Sequence, residues 1–154
     1  MADVDLFKGL DPEEAGRLLA LGRRSVLATG AKLFELGDAA DCIYLVARGR
    51  LRLTLPIEVR SRTEDVLVEE RSSGQTVGWS ALIPPHRFTL TASAPLETEV
   101  VALPREALMG YFAAHPETGY AVSNNLSCVI GQRLQLVQAM WLREIQRMVE
   151  RRCA

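Results

Sequence analysis

The segment 30-GAKLFELGDAADCIYLVARGRLRLTL-55 decides which fold class the chain adopts. Short apolar runs alternate with polar residues and are separated by Gly and Asp, which favour turns. At its end Leu51, Leu53 and Leu55 fall on one face of an extended chain, with arginine and threonine on the other. Because side chains alternate along a strand, this spacing is typical of a half-buried antiparallel strand.

The same alternation of short apolar runs and polar residues continues on both sides of this segment, between about residues 25 and 103. Further strand-like runs are 64-EDVLVEERS-72, 88-FTLTASA-94 and 97-ETEVVALP-104. Several short strands at regular spacing predict a mainly β fold, a double-stranded β-helix (jelly roll) barrel. The polar stretch 56-PIEVRSRTE-64 is predicted to be a connection between two strands, either flexible or an ordinary hairpin loop.

Helices are predicted at both ends of the barrel. A short one begins after Asp11, which suits the N-cap, with Pro12 at the first helical position. After the barrel, residues 105–115 form one helix that ends before Pro116, and a much longer helix covers about 117–152. We expect one domain, with 1–116 forming the barrel and its N-terminal helix and 117–154 forming the long C-terminal helix.

Composition excludes several classes of protein. The net charge is −1, from 18 Lys+Arg and 19 Asp+Glu, so no overall field attracts nucleic acid or an anionic membrane. The three cysteines have neither disulfide-framework nor metal-ligand spacing, and no signal peptide or membrane span is present, which predicts a cytoplasmic protein. No nucleophile, acid–base pair or metal cluster is recognisable, so no enzymatic activity, cofactor or metal is expected.

The segment 77-VGWSALIPPHRFTLTASA-94 carries the candidate binding site. Gly78 permits close backbone approach, and Ser80 and Ala81 leave the amides of a short helical turn open toward an anion. Arg87 adds a guanidinium that suits a phosphate. The alternative is a barrel corner in which Gly and Pro serve geometry and Arg87 lies on the surface.

The segment 30–55 resembles the cyclic-nucleotide-binding domain family, in the form of the catabolite-activator type of effector domain. The match follows the family pattern without a gap, through Gly30, Leu33, Phe34, Gly37, Asp38, Asp41, Tyr44, Val46 and Gly49. The resemblance implies that 74-GQTVGWSAL-82 is a phosphate-binding cassette and that Arg87 pairs with the cyclic phosphate. Two positions depart from the family: Trp79 replaces the glutamate that binds ribose, and Phe88 replaces a small residue. Phe88 also alternates with Leu90 and Ala92, which favours a core position.

The long helix carries an apolar stripe of residues spaced three or four apart. We expect two such helices to pair about a two-fold axis, burying Leu134, Val137, Trp141 and Ile145 in a homodimer. The alternative is a contact with the helix's own barrel. The basic final turns fit the helix macrodipole, so they do not by themselves indicate DNA binding.

Together these features predict a non-enzymatic sensory module. Its predicted ligand is a small anion such as cAMP or cGMP, held by Gly78, Trp79, Ser80, Ala81, Arg87 and Phe88 with weak or altered nucleotide preference. The alternative is a degenerate barrel that binds no nucleotide and serves protein interaction or dimerisation. No recognition helix follows the long helix, so we expect no direct DNA binding, and the protein partner is unknown.

Overall fold

The computed structural model describes residues 3–154 as a sandwich of two antiparallel four-stranded sheets. The first sheet contains, in spatial order, β1 (Arg23–Leu27), β8 (Thr98–Pro104), β3 (Cys42–Arg48) and β6 (Thr76–Val77). The second contains β2 (Lys32–Phe34), β7 (Thr91–Ser93), β4 (Arg50–Val59) and β5 (Arg62–Ser72). This arrangement confirms the predicted mainly β jelly roll.

The alternation that predicted β4 also explains its packing. Leu51 and Leu53 are buried between the sheets, whereas Arg52 points outward and pairs with Glu70, its cross-strand neighbour on β5. Leu55 is 37% exposed because β7 pairs with β4 only at residues 52–54. Beyond that point the β4–β5 ribbon leaves the sandwich.

The predicted connection over 56–64 is a hairpin, but its loop is only two residues long because both strands continue through the rest of the segment. They pair as far as Val59 and Arg62, and the two turn residues Arg60 and Ser61 have φ values of 48° and 66°. Two positive φ angles are the geometry of the tight hairpin turn that matches strand twist. Residues 55–68 therefore form a projecting ribbon, here called the hairpin arm.

Helices cover one end of the sandwich and extend beyond it. A 3₁₀ helix at Asp5–Phe7 precedes α1 (Pro12–Ala20), where the Asp11 side chain accepts the amide hydrogen of Glu13 as predicted for an N-cap. After β8 come α2 (Arg105–Ala114) and the 38-residue α3 (Pro116–Cys153), which is about 57 Å long.

The buried residues of α3 all lie in its first part. They are Thr118, Gly119, Val122, Leu126 and Val129, all in the first 14 positions. The second part runs alongside the hairpin arm and leaves a channel between them. Within residues 3–154, no helix combines the length and the apolar character needed to cross a membrane.

Candidate functional site

The predicted cassette forms one tight turn between β6 and the chain that leads to β7. Gly78 has a φ of 79°, and residues 79–81 follow as a single turn of 3₁₀ helix. The amides of Ala81 and Leu82 donate within this turn, to the carbonyls of Gly78 and Trp79, each at 3.0 Å. The first amides of the turn, at Trp79 and Ser80, have no such intrahelical acceptor. The backbone shape expected of the cassette is therefore present.

Glycine at position 78 is required for two separate reasons. Its positive φ is costly for a residue with a side chain. A Cβ atom there would also lie 3.0 Å from Cε1 of Phe88. The backbone of the cassette and the ring of Phe88 are thus in direct contact.

Phe88 fills the space that the cassette faces. Its ring stacks on Phe34, with centroids 3.6 Å apart and planes 9° from parallel, and lies 6.5 Å from Tyr44. The cavity left beside the cassette has a volume of about 10 Å³ and is lined by Phe34, Leu53, Gly78, Trp79, Ser80, Phe88, Thr89, Leu90 and Arg133. Such a volume is at the lower limit for one water molecule.

Arg87 lies outside this cavity. Residues 86–88 run antiparallel to residues 37–40, with Phe88 donating to the carbonyl of Asp38 at 3.0 Å. Side chains alternate in such an extended segment, so Arg87 and Phe88 point to opposite sides. The exposed guanidinium of Arg87 donates from Nη1 to the carbonyl of Gly37 at 2.9 Å.

The structure therefore brings together four of the six predicted ligand residues. Gly78, Trp79, Ser80 and Phe88 line the cavity, Ala81 is fully buried behind it, and Arg87 faces away. Phe88 has the core position that its alternation with Leu90 and Ala92 predicts, because it is 5% exposed.

Sequence reasoning missed a cation that does reach the cavity. Arg133, on α3, lines it, and its side chain is only 12% exposed. Its Nε donates to Oε2 of Glu69 on β5, and burial lowers the pKa of its guanidinium. The sequence does contain a signal for this residue. Arg133 interrupts an otherwise apolar helix face, three residues after Ile130 and four before Val137.

Glu69 connects Arg133 to a second, more deeply buried arginine. Arg71 is 5% exposed and donates to Glu69 and to Asp5, each at 3.0 Å, and to the carbonyl of Thr76 at 3.1 Å. Asp5 also accepts the amide hydrogen of Thr76 at 3.1 Å. This ionic cluster joins the N-terminal 3₁₀ helix, β5, β6 and α3 beside the cassette.

A larger apolar groove opens next to the cassette, between the hairpin arm and the second part of α3. Its volume is about 620 Å³. The groove is lined by Leu55, Ile57, Val66, Val68, Trp79, Thr89, Leu90, Arg133, Val137, Met140, Trp141 and Glu144. Trp79, Thr89, Leu90 and Arg133 line both spaces, so the groove and the cassette cavity are neighbours.

The cassette cavity is small in this structure, and neither a carboxylate nor the arginine of the cassette segment, Arg87, is among the residues that line it within 3–154. The cavity is far below the roughly 300–1,000 Å³ of small-molecule sites. Trp79 offers no carboxylate to a ribose hydroxyl, and of the adjacent residues Arg87 and Phe88 it is Phe88 that lines the cavity.

The predicted dimer residues lie on the part of α3 that extends beyond the barrel. Leu134, Val137 and Trp141 are 57%, 43% and 63% exposed, and Ile145 is half-buried. The stripe is thus available to a partner, and the pairing itself stays a prediction.

Proteins and solved structures similar to this chain include the following three. The cyclic AMP receptor protein of Thermus thermophilus is 30% identical over 136 residues, which cover 88% of this chain and 59% of that protein. The crystal structure of the Thermus thermophilus catabolite activator protein superimposes with a TM-score of 0.76 at 27% identity, over 92% of this chain and 63% of that one. The N-terminal domain of a transcriptional regulator from Streptomyces coelicolor A3(2) gives a TM-score of 0.72 at 25% identity, over 83% of this chain and 89% of that one.

The chain spans less than two thirds of the Thermus protein's length. Residues 24–115, which include the cassette and most of the strands, match the cyclic nucleotide-binding domain family. The fold, the cassette backbone and this match agree, and the chain belongs to the cyclic nucleotide-binding domain family.

Proposed function

We propose that the chain is a non-enzymatic regulatory module in which the cassette binds cAMP and cGMP more weakly than the micromolar range. The observation that carries this proposal is the position of the Phe88 ring, which packs against Gly78 and reduces the cassette cavity to about 10 Å³. We further propose that it acts in the cytoplasm, since Cys42, Cys128 and Cys153 are all free thiols.

The expected loss of affinity follows from two missing contacts. A charge-assisted hydrogen bond contributes about 1.5–3 kcal/mol, and such a bond to ribose is absent where Trp79 replaces a carboxylate. A second such contact, from Arg87 to phosphate, is also absent because Arg87 faces the opposite side of its segment. Together they amount to about 3–6 kcal/mol, or roughly 10²- to 10⁴-fold in affinity.

The long helix α3 is the proposed output of the module. Arg133 and Glu69 connect it to the strand beside the cassette, so a change at the cassette side of the barrel alters how α3 packs. In the same proposal, the exposed stripe at Leu134 and Trp141 forms a homodimer or binds a protein partner. The Thermus relative is named for cyclic AMP; only the regulatory role is carried over to this chain.

Calorimetric titration of the full chain with cAMP and cGMP tests the proposal. We expect no saturable heat up to about 100 µM for the unmodified protein. The double variant Trp79→Glu, Phe88→Arg, which places a carboxylate and a guanidinium at the cassette, is expected to gain measurable binding. Arg87→Ala is the matched control and is expected to change nothing.

Micromolar binding by the unmodified chain would contradict the proposal. If Arg87→Ala abolished that binding, the phosphate role predicted for Arg87 from the sequence would be correct after all.

A second candidate function is a dimerisation or protein-interaction module with no small ligand. It is favoured by the exposed apolar stripe of α3, which nothing in this chain covers within residues 3–154. Titration with cAMP and cGMP at millimolar concentration distinguishes the two, since weak but saturable binding is expected only from a ligand-binding module.

A further inference from the structure

One face of α3 serves both the barrel and the groove. The residues that pack on the barrel, Val122, Leu126 and Val129, continue at steps of three and four through Arg133, Val137, Met140 and Glu144. The groove is therefore an extension of the helix face that contacts its own barrel. Two residues of the predicted dimer stripe, Val137 and Trp141, also line the groove, whereas the other two, Leu134 and Ile145, do not.

Arg133 lies at the cassette end of this groove, and part of its guanidinium group makes no hydrogen bond. Within residues 3–154 its one hydrogen bond runs from Nε to Glu69, and neither Nη atom has an acceptor. No fully buried side-chain nitrogen or oxygen in this part of the chain lacks a partner. The two Nη atoms therefore retain some contact with accessible space, and Arg133 lines both the cassette cavity and the groove.

The remaining walls of the groove are almost entirely apolar. Leu55, Ile57, Val66 and Val68 of the hairpin arm face Val137, Met140 and Trp141 of α3. The one acid among the lining residues, Glu144, is exposed. The volume of about 620 Å³ falls within the range of small-molecule sites. A nucleotide base does not suit such walls, because its polar edges would find few partners.

We propose that the groove binds an apolar molecule with one carboxylate, which Arg133 receives through its Nη groups while the acyl or aryl body lies between the hairpin arm and α3. Glu69 keeps its bond to Nε and holds the guanidinium plane in position for a two-point contact. The inference rests on the proposed function in one respect, namely that the cassette cavity does not take the ligand.

The two tryptophans of the chain provide a direct readout. Trp79 and Trp141 are the only tryptophans in the sequence, and both line the groove. Decanoate and 1-decanol, which share a chain length and differ in the carboxylate, are titrated below their aggregation limits while tryptophan emission is recorded. We expect saturable shifts with both and at least a tenfold lower Kd for decanoate.

Variants separate the role of the charge from that of the apolar walls. Arg133→Gln is expected to weaken decanoate at least tenfold without changing decanol, and Arg133→Lys to restore part of the difference. Leu55→Asp, in the groove wall, is expected to weaken both probes. Leu96→Asp is the control, because Leu96 is similarly exposed at 42% but lies outside the groove.

Equal Kd values for the two probes, or an Arg133→Gln variant that binds decanoate normally, would overturn the inference. So would the absence of a saturable shift with either probe; in samples that light scattering shows to be dimeric, it would mean that a second copy covers the wall formed by Val137 and Trp141. Nucleotide binding that leaves the decanoate response intact would instead overturn only the proposed function.

Discussion

Phe88 stacks on Phe34 across the mouth of the cassette, with ring centroids 3.6 Å apart. Phe34 belongs to β2, and Phe88 belongs to the segment that follows the cassette. The pair therefore connects the two parts of the chain that enclose the candidate site. Both rings belong to the hydrophobic core of the barrel.

The stack is expected to act as one energetic unit. Phe34→Leu and Phe88→Leu should each lower the free energy of unfolding by about 1–3 kcal/mol. A double-mutant cycle should give a coupling of about 0.5–1.5 kcal/mol, the range for interacting aromatic pairs. Urea denaturation measures all four proteins, and strictly additive effects would show that the rings contribute independently.

Gly78→Ala is expected to destabilise the chain by at least about 1–2 kcal/mol, because a non-glycine residue is strained at a φ of 79°. Contact of the new Cβ with Phe88 adds to this cost. Gly110→Ala is the matched control, since Gly110 lies inside α2 with no atom within 4 Å of an added Cβ. There alanine should stabilise by up to about 1 kcal/mol. Equal effects in thermal unfolding would contradict the strain argument.

The fold was predictable because its signals are local. Leu51 and Leu53 alternate with arginine, Asp11 and Pro12 begin α1, and Pro116 separates α2 from α3. Each feature depends on a few adjacent residues. The hairpin arm was missed because Pro56 and the polar residues after it look like a loop, although a ribbon outside the sandwich tolerates them.

The site was less predictable because one residue of register decides which side chain faces the cassette. Arg87 and Phe88 are adjacent, and an extended backbone sends them to opposite sides. Spacing from Gly78 alone does not specify that choice. The contact between Glu69 and Arg133 joins residues 64 positions apart, and no local pattern reports such a pair.

Arg71→Met is expected to destabilise the chain by about 3–5 kcal/mol, since Asp5 and Glu69 would lose a buried cation. The control is Arg48→Met, because Arg48 pairs with Glu97 at the surface and both side chains are more than 60% exposed. That change should cost no more than about 1 kcal/mol. Chemical denaturation compares the two, and a small effect at position 71 would mean that the cluster contributes little to stability.

Glu14 is expected to make stability depend on pH. Hydrogen bonds donated by Thr118 and Tyr111, each at 2.7 Å, together with the charge of Arg17, lower the pKa of Glu14 below its ordinary value of 4.5. The unfolded chain then binds more protons in this window, so the contribution is complete above pH 4.5 and is lost as pH falls through the lowered pKa.

Glu14→Gln tests this contribution, because glutamine cannot titrate. Melting temperatures measured between pH 3 and 7 should fall less steeply below pH 4.5 for the variant than for the unmodified chain. Glu58→Gln is the control, since Glu58 is exposed on the hairpin arm. Identical pH profiles for all three proteins would show that Thr118, Tyr111 and Arg17 do not stabilise the charged form of Glu14.

The stripe on α3 is expected to hold two copies together. Leu134 is 57% exposed in the single chain, and a glutamate there would place a charge inside the paired helices. Sedimentation equilibrium should show Leu134→Glu as a monomer and the unmodified chain as a dimer. Ala139→Glu makes the same change about 140° around the helix, away from the stripe, and should remain dimeric. Because neither residue lines the groove, both variants should still bind decanoate, which separates pairing from ligand binding.

An unmodified chain that is monomeric, or a Leu134→Glu variant that stays dimeric, would show that this stripe is not the contact between copies.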